Sequence, residues 1–320
     1  MQTRILGSTD LKLSVVGLGT WAIGGGEWAF GWGDQDDDQA IAAIKRAVDV
    51  GVNWIDTAAV YGLGKSETLV GKAIAELPIG DRPLIATKCG RTNAGDGQIG
   101  KSLQRASVIA ECEASLKRLQ VDCIDLYQMH HLDRAAPWDE VWQAMETLVA
   151  QGKITYVGSS NFAGWTVAQA NEAARSRHFL GLVSEQSLYN LTERTIELEV
   201  IPACESYGLG LLPWSPLGGG IRQHLIETGD ETRARLLYIP PGEDVPQHTH
   251  QGLELTLVLA GSFADGDEEF HVGDIEVADE TVDHTPVSGP NGPCICLAVT
   301  DATLVFRSWL PRMIQRFAKI

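Results

Sequence analysis

The chain has 320 residues, a formal net charge of −17 and a hydrophobic fraction of 44%, so it is long enough for one large domain or two ordinary ones. The negative charge argues against a nucleic-acid partner, because a surface that binds phosphates is basic. No apolar run reaches the length of a membrane span, and the N-terminus lacks the apolar stretch of a signal peptide. The six cysteines are scattered without the spacing of a disulfide framework, which predicts a cytoplasmic protein without a membrane partner.

Up to about residue 220, short apolar runs alternate with amphipathic segments, a pattern typical of successive β/α units. Seven strands are predicted, at residues 15–20, 53–59, 84–89, 124–130, 154–159, 182–187 and 210–215. Helices are predicted between them, at residues 38–50, 67–77, 107–119, 138–150, 165–174 and 196–206. This order fits either a (β/α) barrel or a doubly wound sheet.

Polar side chains at the carboxyl ends of the predicted strands distinguish the two folds, because a barrel collects those ends into one ring. They are Asp56, Lys88, His130, Ser159, Asn161, Gln186 and Ser215. A doubly wound sheet that binds a dinucleotide would need G-x-G-x-x-G after its first strand, and Gly17-Leu-Gly-Thr-Trp-Ala does not supply it. The sequence therefore favours an α/β fold of the TIM-barrel type.

Five segments of this region together resemble the aldo-keto reductase family. They are the run from Asn53 to Glu67, Ile85-Ala-Thr-Lys, Ile124-Asp-Leu-Tyr-Gln-Met-His, Val157-Gly-Ser-Ser-Asn-Phe and Pro213-Trp-Ser-Pro-Leu. The resemblance covers residues 1 to about 220 in order. It implies that NADPH reduces a small-molecule carbonyl compound, with Asp56, Tyr61, Lys88 and His130 as the catalytic residues.

Carbonyl reduction needs a proton donor and stabilisation of the forming alkoxide, and these residue types can supply both. Tyr61 suits the proton donor, and its ordinary pKa of ~10 is expected to be lowered by the ammonium of Lys88. Asp56 would pair with that lysine and orient it, and His130 would hydrogen-bond the substrate oxygen. The alternative is a structural Asp–Lys pair beside a Tyr and a His.

The resemblance also implies a set of coenzyme-binding residues. Ser159, Asn161 and Gln186 would hold the nicotinamide carboxamide, and Trp214 would stack on the nicotinamide ring. Ser215 and Leu217 match the start of the pyrophosphate loop.

The sequence departs from the family pattern in two places. His131 stands where the family often has Trp. After Gly220, the family's last helix and strand and its basic segment for the adenosine phosphate are not found, which puts NADPH binding in doubt. A barrel of seven strands has two open edges with unpaired backbone. A strand at residues 221–226 is near enough in sequence to fill the gap, but no crossover helix precedes it, and a parallel neighbour would need one.

From residue 221 the periodicity changes to short strands between turns. Strands are predicted at residues 235–239, 254–259, 274–277 and 294–299, with a helix at 311–318. We therefore predict an incomplete barrel at residues 1–220 and an all-β, jelly-roll-like domain at 221–320. Cys294 and Cys296 share one face of a predicted strand, as buried strand residues or as a redox pair.

A metal site is predicted in this second region. His248 and His250 lie on one face of a strand, Glu254 has the same parity, and His284 follows after a turn. Three imidazoles and a carboxylate suit Zn, Fe, Mn or Ni. The spacing fits the first motif of a cupin, whereas the second motif is partial.

The same region resembles, more closely, the cupin of ChrR-type anti-sigma factors. The resemblance rests on Arg235-Leu-Leu-Tyr-Ile-Pro-Pro-Gly, Gly252-Leu-Glu-Leu-Thr-Leu-Val-Leu and Cys294-Ile-Cys-Leu-Ala-Val-Thr-Asp-Ala. It implies a zinc ion and a part in oxidant sensing. The N-terminal sigma-binding helices of that family are absent, so no sigma-factor partner is expected.

Three hypotheses for the whole chain follow. It is a working aldo-keto reductase with an appended zinc cupin, a zinc cupin sensor or structural protein whose barrel is inactive, or an artificial fusion of two fragments. The four intact catalytic positions favour the first. An unclosed barrel is also open to pairing with a second copy, so a homo-oligomer is a further expectation.

Overall fold

The computed structural model describes residues 1–26, 31, 33–95, 98–190, 193–216, 222–226, 233–245, 248–250, 252–279, 281–301 and 304–306. The chain divides into two units. The first comprises Met1–Ser187 and Ile196–Leu212, and the second comprises Leu188–Thr195 and Pro213–Ile320. The predicted domain boundary after Gly220 falls outside the described residues and stays a prediction.

Two antiparallel hairpins in the first unit are not predicted by the sequence pattern. The first joins β1 (Thr3–Ile5) to β2 (Lys12–Ser14). The second joins β6 (Arg91–Gly95) to β7 (Gln98–Lys101). Their strands are too short for the alternation of apolar and polar residues to stand out in the sequence.

Seven further strands form one sheet in which neighbours in space follow chain order. They are β3 (Leu18–Gly19), β4 (Trp54–Asp56), β5 (Leu84–Cys89), β8 (Ile124–Met129), β9 (Ile154–Ser160), β10 (Leu182–Leu188) and β11 (Gly210–Trp214). Every pairing from β3 to β10 is parallel. The predicted barrel-type sheet is confirmed, although β3 and β4 are shorter than expected.

The sheet is an incomplete barrel, because the described residues provide no eighth parallel strand between β11 and β3. The candidate strand for this gap instead forms β12 (Arg222–Ile226), which pairs antiparallel with β13 (Arg233–Ile239). This agrees with the sequence, which has no crossover helix before residue 221, whereas the short connection from β12 to β13 suits an antiparallel pair.

In the described part of the chain, six α-helices lie between the strands. They are α1 (Asp37–Asp49), α2 (Lys65–Ala75), α3 (Arg105–Leu119), α4 (Trp138–Ala150), α5 (Gly164–Ser176) and α6 (Val200–Tyr207). Short 3-10 turns occur at Ala22–Gly24, Tyr61–Gly64, Ile79–Asp81 and Thr195–Glu197. The Asp36 side chain caps α1 by accepting from the Gln39 amide at 2.8 Å.

Apolar side chains form separate clusters in the first unit. The largest joins the helices to the sheet and includes Ile44, Ile55 and Trp142. A smaller cluster brings the β1–β2 hairpin against four sheet strands through Leu6, Leu13, Ala86, Leu126, Val183 and Leu212. Side chains alternate along a strand, so Lys88 lies on the same sheet face as Ala86, and Gln128 on the same face as Leu126. Lys88 and Gln128 are each two residues nearer the carboxyl end of their strand.

The second unit is built from antiparallel strands, which confirms the all-β cupin prediction. After β13 come β14 (His248–His250), β15 (Glu254–Ala260), β16 (Ser262–Asp265), β17 (Glu268–His271), β18 (Ile275–Ala278), β19 (Asp283–His284), β20 (Val287–Ser288), β21 (Cys294–Thr300) and β22 (Leu304–Phe306). Their sheets have the orders β12-β13-β21-β15-β18, β19-β14-β22 and β17-β16-β20. The helix predicted at 311–318 lies outside the described residues.

Cys294 and Cys296 both face the interior of the second unit, where they pack with Ile239, Val258 and Phe263. Both thiols are free. A hydrogen bond between them lowers the pKa of Cys294 and raises that of Cys296. Of the two interpretations offered by the sequence, buried strand residues or a redox pair, their position agrees with buried strand residues.

Across the described residues, no helix is both long enough and apolar enough to span a bilayer.

The close contact of α2 with α3 predicts a large effect of one methyl group. A Cβ at Gly71 would lie 2.3 Å from the Arg118 carbonyl oxygen, so Gly71→Ala is expected to lower the free energy of unfolding by about 1–3 kcal/mol despite alanine's helix propensity. Gly80→Ala is the control, since nothing lies within 4 Å of its Cβ position. Urea denaturation measures both; equal midpoints would contradict the tight packing.

Candidate functional site

A buried lysine connects two neighbouring strands at the carboxyl edge of the sheet. Lys88 Nζ donates to Asp56 Oδ2 at 2.6 Å, to the Thr57 carbonyl oxygen at 2.9 Å and to Tyr61 Oη at 3.2 Å. The Lys88 side chain has no solvent exposure. All three of its N–H donors therefore have an acceptor, as a buried ammonium requires.

The charge of Asp56 keeps Lys88 protonated. Burial lowers the pKa of Lys88, but Asp56 and Tyr61 outweigh that effect, and the pKa is raised above its usual value. Lys88 is therefore an ammonium at neutral pH, directed at the phenol of Tyr61.

Tyr61 is held by the backbone on one side and an aromatic ring on the other. It begins the 3-10 turn Tyr61–Gly64, where Gly62 has a φ of +58° and a Cβ would lie 2.1 Å from the Gly24 carbonyl oxygen. No side chain fits at Gly62, so the turn brings this backbone into close contact. The Trp21 ring stacks on Tyr61 with centroids 6.3 Å apart.

The pKa of Tyr61 differs from the sequence-based expectation. Burial raises it, Lys88 lowers it, and Asp56 raises it again, so that the pKa is above the usual value. The expectation of a lowered pKa is wrong for this structure, because burial and the Asp56 carboxylate outweigh the Lys88 ammonium. Tyr61 is therefore a protonated phenol at neutral pH, the state in which it can donate a proton.

His130 stands edge-on to Tyr61, with ring centroids 5.8 Å apart. It follows β8, and its amide donates to the Cys89 carbonyl oxygen at 2.9 Å. Burial, and then the positive charge of Lys88, hold the pKa of His130 well below its usual range. The imidazole is therefore neutral. His131 stacks beside it with centroids 5.3 Å apart.

The second oxygen of Asp56 is held by two amides. Gln186 Nε2 donates to Oδ1 at 2.8 Å and Gln128 Nε2 at 3.1 Å. Gln186 was expected to contact a nicotinamide carboxamide, and here it is joined to the Asp56–Lys88 pair. Gln128 was not identified from the sequence; its signal is a polar residue at the parity of the apolar Ile124 and Leu126.

Two of the predicted coenzyme-binding residues lie where β9 ends. Ser159 Oγ donates to Glu185 Oε2 at 2.5 Å. Asn161 has a φ of +59°, and its Nδ2 donates to Ser160 Oγ at 2.9 Å. Glu185 is a further residue that sequence reasoning missed; it also accepts from the Phe162 amide at 3.0 Å, and burial raises its pKa to about 7.

The other three residues of the predicted coenzyme site are Trp214, Ser215 and Leu217. They belong to Pro213–Ile320, which is part of the second unit. The carbonyl oxygen of Trp214 accepts from the Tyr189 amide at 3.4 Å. That of Ser215 accepts from Asn190 Nδ2 at 3.1 Å. Leu217 lies outside the described residues.

The candidate metal site of the second unit centres on His284. Its Nδ1 lies 2.8 Å from Asp265 Oδ2 and 3.6 Å from Glu276 Oε1, and the ligand atoms of these three residues lie within 4.8 Å of one another. Burial opposes protonation of His284, but the hydrogen bonds to Glu276 and Asp265 outweigh it and raise its pKa to about 9. Asp265 and Glu276 were not among the predicted ligands.

The predicted metal ligands lie on neighbouring strands of this unit. His248 stands directly opposite His284 in the pairing of β14 with β19, while the side chains of His248 and His250 are outside the description. Glu254 is buried, and burial raises its pKa against the smaller effects of the Thr256 hydrogen bond and the His284 charge. A histidine whose Nδ1 meets a carboxylate, with a buried carboxylate near it, fits a metal centre.

Comparisons with known proteins agree with the two folds. A sequence model of the aldo/keto reductase family matches residues 15–236, and one of the ChrR cupin-like domain matches residues 209–303. The chain therefore belongs to the aldo/keto reductase family and carries a ChrR cupin-like domain.

Three individual proteins illustrate this similarity. The uncharacterized oxidoreductase YrpG of Bacillus subtilis is 43% identical over 230 residues, which are 69% of this chain and 68% of YrpG. The glycerol dehydrogenase AKR11B4 from Gluconobacter oxydans matches in structure with a TM-score of 0.60 and 38% identity, over 68% of this chain and 64% of that one. The anti-sigma-E factor ChrR of Cereibacter sphaeroides is 55% identical over 107 residues, which are 33% of this chain and half (50%) of ChrR.

The buried Asp56–Lys88 pair predicts a strong coupling between two substitutions. Asp56→Asn or Lys88→Met alone leaves a buried charge without its partner, and each is expected to lower the free energy of unfolding by about 3–5 kcal/mol. The double variant is expected to lose much less than the sum. Chemical denaturation of the four proteins measures the coupling, and additive losses would show that the pair is not a unit.

Proposed function

We propose that the first unit reduces aldehydes or ketones with NADPH at Asp56, Tyr61, Lys88 and His130. The family supports an oxidoreductase, and the observation that carries the finer proposal is the Lys88 ammonium 3.2 Å from the Tyr61 hydroxyl oxygen. Such a pair combines a proton donor with a cation that stabilises the phenolate left behind.

The reaction follows from the protonation states of these residues. As the carbonyl carbon accepts hydride, the π pair of the C=O bond moves to oxygen, and Tyr61 protonates that oxygen. Lys88 stabilises the resulting tyrosinate until a solvent proton restores the phenol. Neutral His130 donates an N–H to the same oxygen and orients the carbonyl group, while Asp56 keeps Lys88 charged and in position.

NADPH would supply the hydride, and the carboxyl ends of β9 and β10 offer polar groups for its nicotinamide. Ser159, Asn161 and Gln186 would hold the carboxamide, and Trp214, Ser215 and Leu217 would bind the ring and the pyrophosphate. Among the described residues, buried Gln128 Oε1 on β8 and Ser184 Oγ on β10 have no hydrogen-bond partner, so an acceptor and a hydroxyl group remain for a polar ligand.

The second unit is proposed to hold a zinc ion through His248, His250, Glu254 and His284. Asp265, at 2.8 Å from His284 Nδ1, would fix the tautomer that leaves Nε2 as the ligand atom. Zinc here would stabilise the antiparallel fold by joining β14, β15 and β19.

In a second candidate function, the barrel is inactive and the zinc site of the cupin is the one that works. The protein is then a zinc sensor, or a fusion of two fragments. The observation that favours it is the open edge of the seven-stranded sheet. A titration of the full chain with NADPH, followed by tryptophan fluorescence, separates the two. Saturable binding supports the reductase, and no binding at millimolar coenzyme supports an inactive barrel.

Partners and location remain proposals as well. A small-molecule carbonyl compound is the proposed partner, with no nucleic acid, membrane or sigma factor. Two copies of the chain are proposed to pair through the open sheet. A cytoplasmic location is supported by cysteines that are all free in the structure.

The assignment of Tyr61 is tested by removing its hydroxyl group. Tyr61→Phe is expected to lower kcat for a reactive aldehyde by about 100-fold or more, with the Kd for NADPH and the metal content unchanged. Tyr156→Phe is the matched control, because that hydroxyl bonds the exposed Asp10. Steady-state kinetics measure both variants; parental turnover by Tyr61→Phe would exclude Tyr61 as the proton donor.

The metal site is tested by two ligand substitutions and one matched histidine. His284→Ala and Glu254→Gln are expected to lower the zinc content and the thermal midpoint of the cupin unit, because each removes one of four ligands. His271→Ala, with a side chain 64% exposed, is expected to keep both. Elemental analysis of purified proteins provides the stoichiometry, and equal zinc in all variants would refute the ligand set.

A further inference from the structure

Two basic side chains face each other on the β6–β7 hairpin. Arg91 and Lys101 are direct cross-strand partners in its register. Like charges at directly opposed positions of an antiparallel pair destabilise it. Within the described ranges, neither side chain has a carboxylate at ion-pair distance. Among the described residues, no ion pair therefore compensates these two positive charges of the hairpin.

One of these two side chains also has a buried donor. Arg91 Nε is inaccessible to solvent and has no hydrogen-bond partner in the described part of the chain. Buried donors are almost always paired in folded proteins, and an unpaired one marks a place where an acceptor from outside the chain can bind.

Two acidic residues at the base of the hairpin bind backbone amides. Glu111 Oε2 accepts from the Gly90 amide at 3.0 Å, and Asp133 Oδ2 accepts from the Leu103 amide at 3.0 Å. Gly90 has a φ of +87°, and a Cβ there would lie 2.6 Å from Leu103 Cδ2. The turn into the hairpin is therefore fixed, and these carboxylates stabilise it without approaching the basic pair.

The hairpin lies beside the proposed reaction site. Arg91 comes three residues after Lys88, and Ile99 of β7 packs in one apolar cluster with Val60, Trp21 and Tyr61. Consistently, burial and Lys88 lower the pKa of His130 most, and the charge of Arg91 adds to them. Burial, and then the charges of Arg91 and Lys101, lower the pKa of His131 to about 4.

We propose that Arg91 and Lys101 bind an oxoanion of the substrate, so that this enzyme prefers aldehydes or ketones that carry a carboxylate or phosphate group. The proposal rests on the proposed reductase function of the Tyr61 site. A guanidinium binds a planar carboxylate or a phosphate through two parallel hydrogen bonds, and a lysine across the strand adds a second charge. On a chain of net charge −17, such a local basic pair attracts an anion to one place.

The test compares three aryl aldehydes of similar shape: 4-methylbenzaldehyde, 4-formylbenzoate and 4-formylphenyl phosphate. The ratio of kcat/KM for each anion to that for the neutral aldehyde is measured with NADPH for the parent and for Arg91→Gln and Lys101→Gln. Differences in intrinsic reactivity cancel when this ratio is compared between proteins. Arg4→Gln, an exposed basic residue on β1, controls for the loss of one positive charge.

The parent is expected to have a higher kcat/KM for one of the anions than for the neutral aldehyde. In Arg91→Gln this ratio is expected to fall roughly 10- to 100-fold through a higher KM for the anion, while kcat/KM for the neutral aldehyde changes little. Lys101→Gln is expected to fall less, because Lys101 is exposed, and Arg4→Gln to keep the parental ratio. Whichever anion is preferred identifies the carboxylate or the phosphate as the group bound. Ratios that stay at the parental value in both hairpin variants would overturn the proposal.

A binding experiment keeps this test separate from that of the reductase function. If the parent does not reduce 4-methylbenzaldehyde, the proposed function fails, and calorimetry with 4-(hydroxymethyl)benzoate against 1,4-benzenedimethanol still decides the anion site. Binding of the carboxylate alone, lost in Arg91→Gln and retained in Arg4→Gln, supports the site. Equal binding of the two alcohols, or none of either, refutes it. Should Arg91→Gln misfold by circular dichroism, Lys101→Gln gives the decision, again with Arg4→Gln as its control.

Discussion

The ion pair between Asp56 and Lys88 is the interaction on which the proposed active site depends. An ammonium without solvent contact is stable only with a nearby carboxylate and a full set of acceptors. Asp56 provides the charge, and its second oxygen is fixed by Gln128 and Gln186. Four strands therefore converge on one carboxylate, and any change in their register would displace the Lys88 ammonium from the Tyr61 hydroxyl.

Other buried carboxylates hold the same strands from outside the site. Glu67 of α2 accepts from Thr87 on β5 at 2.6 Å and from Arg118 of α3 at 2.6 Å, so the strand that carries Lys88 is tied to two helices. Glu185 on β10 accepts from the Ser159 hydroxyl on β9 and from the Phe162 amide just after β9, and so links these two strands. Such paired acids let an open sheet keep its polar carboxyl edge ordered without an eighth strand on the described part of the chain.

The second unit places a histidine between carboxylates by a different route. Antiparallel pairing of β14 with β19 sets His248 opposite His284, and the adjoining strands bring Asp265 and Glu276 to the same imidazole. The fold thereby gathers acidic and imidazole groups that are far apart in sequence. In the first unit, burial and a lysine keep His130 neutral; in the second, two carboxylates favour the charged form of His284.

The sequence by itself determined both fold classes, since apolar periodicity marks strands and helices locally, and it identified Asp56, Tyr61, Lys88 and His130 as residues at strand ends or loops. It could not determine the β1–β2 and β6–β7 hairpins, the antiparallel pairing of residues 222–226, or the residues that hold the site from neighbouring strands, such as Gln128 and Glu185. The pKa of Tyr61 also needed the structure: proximity to Lys88 is predictable from a motif, but burial is not. Hydrogen-bond partners and desolvation depend on which distant segments meet, and only the tertiary structure decides that.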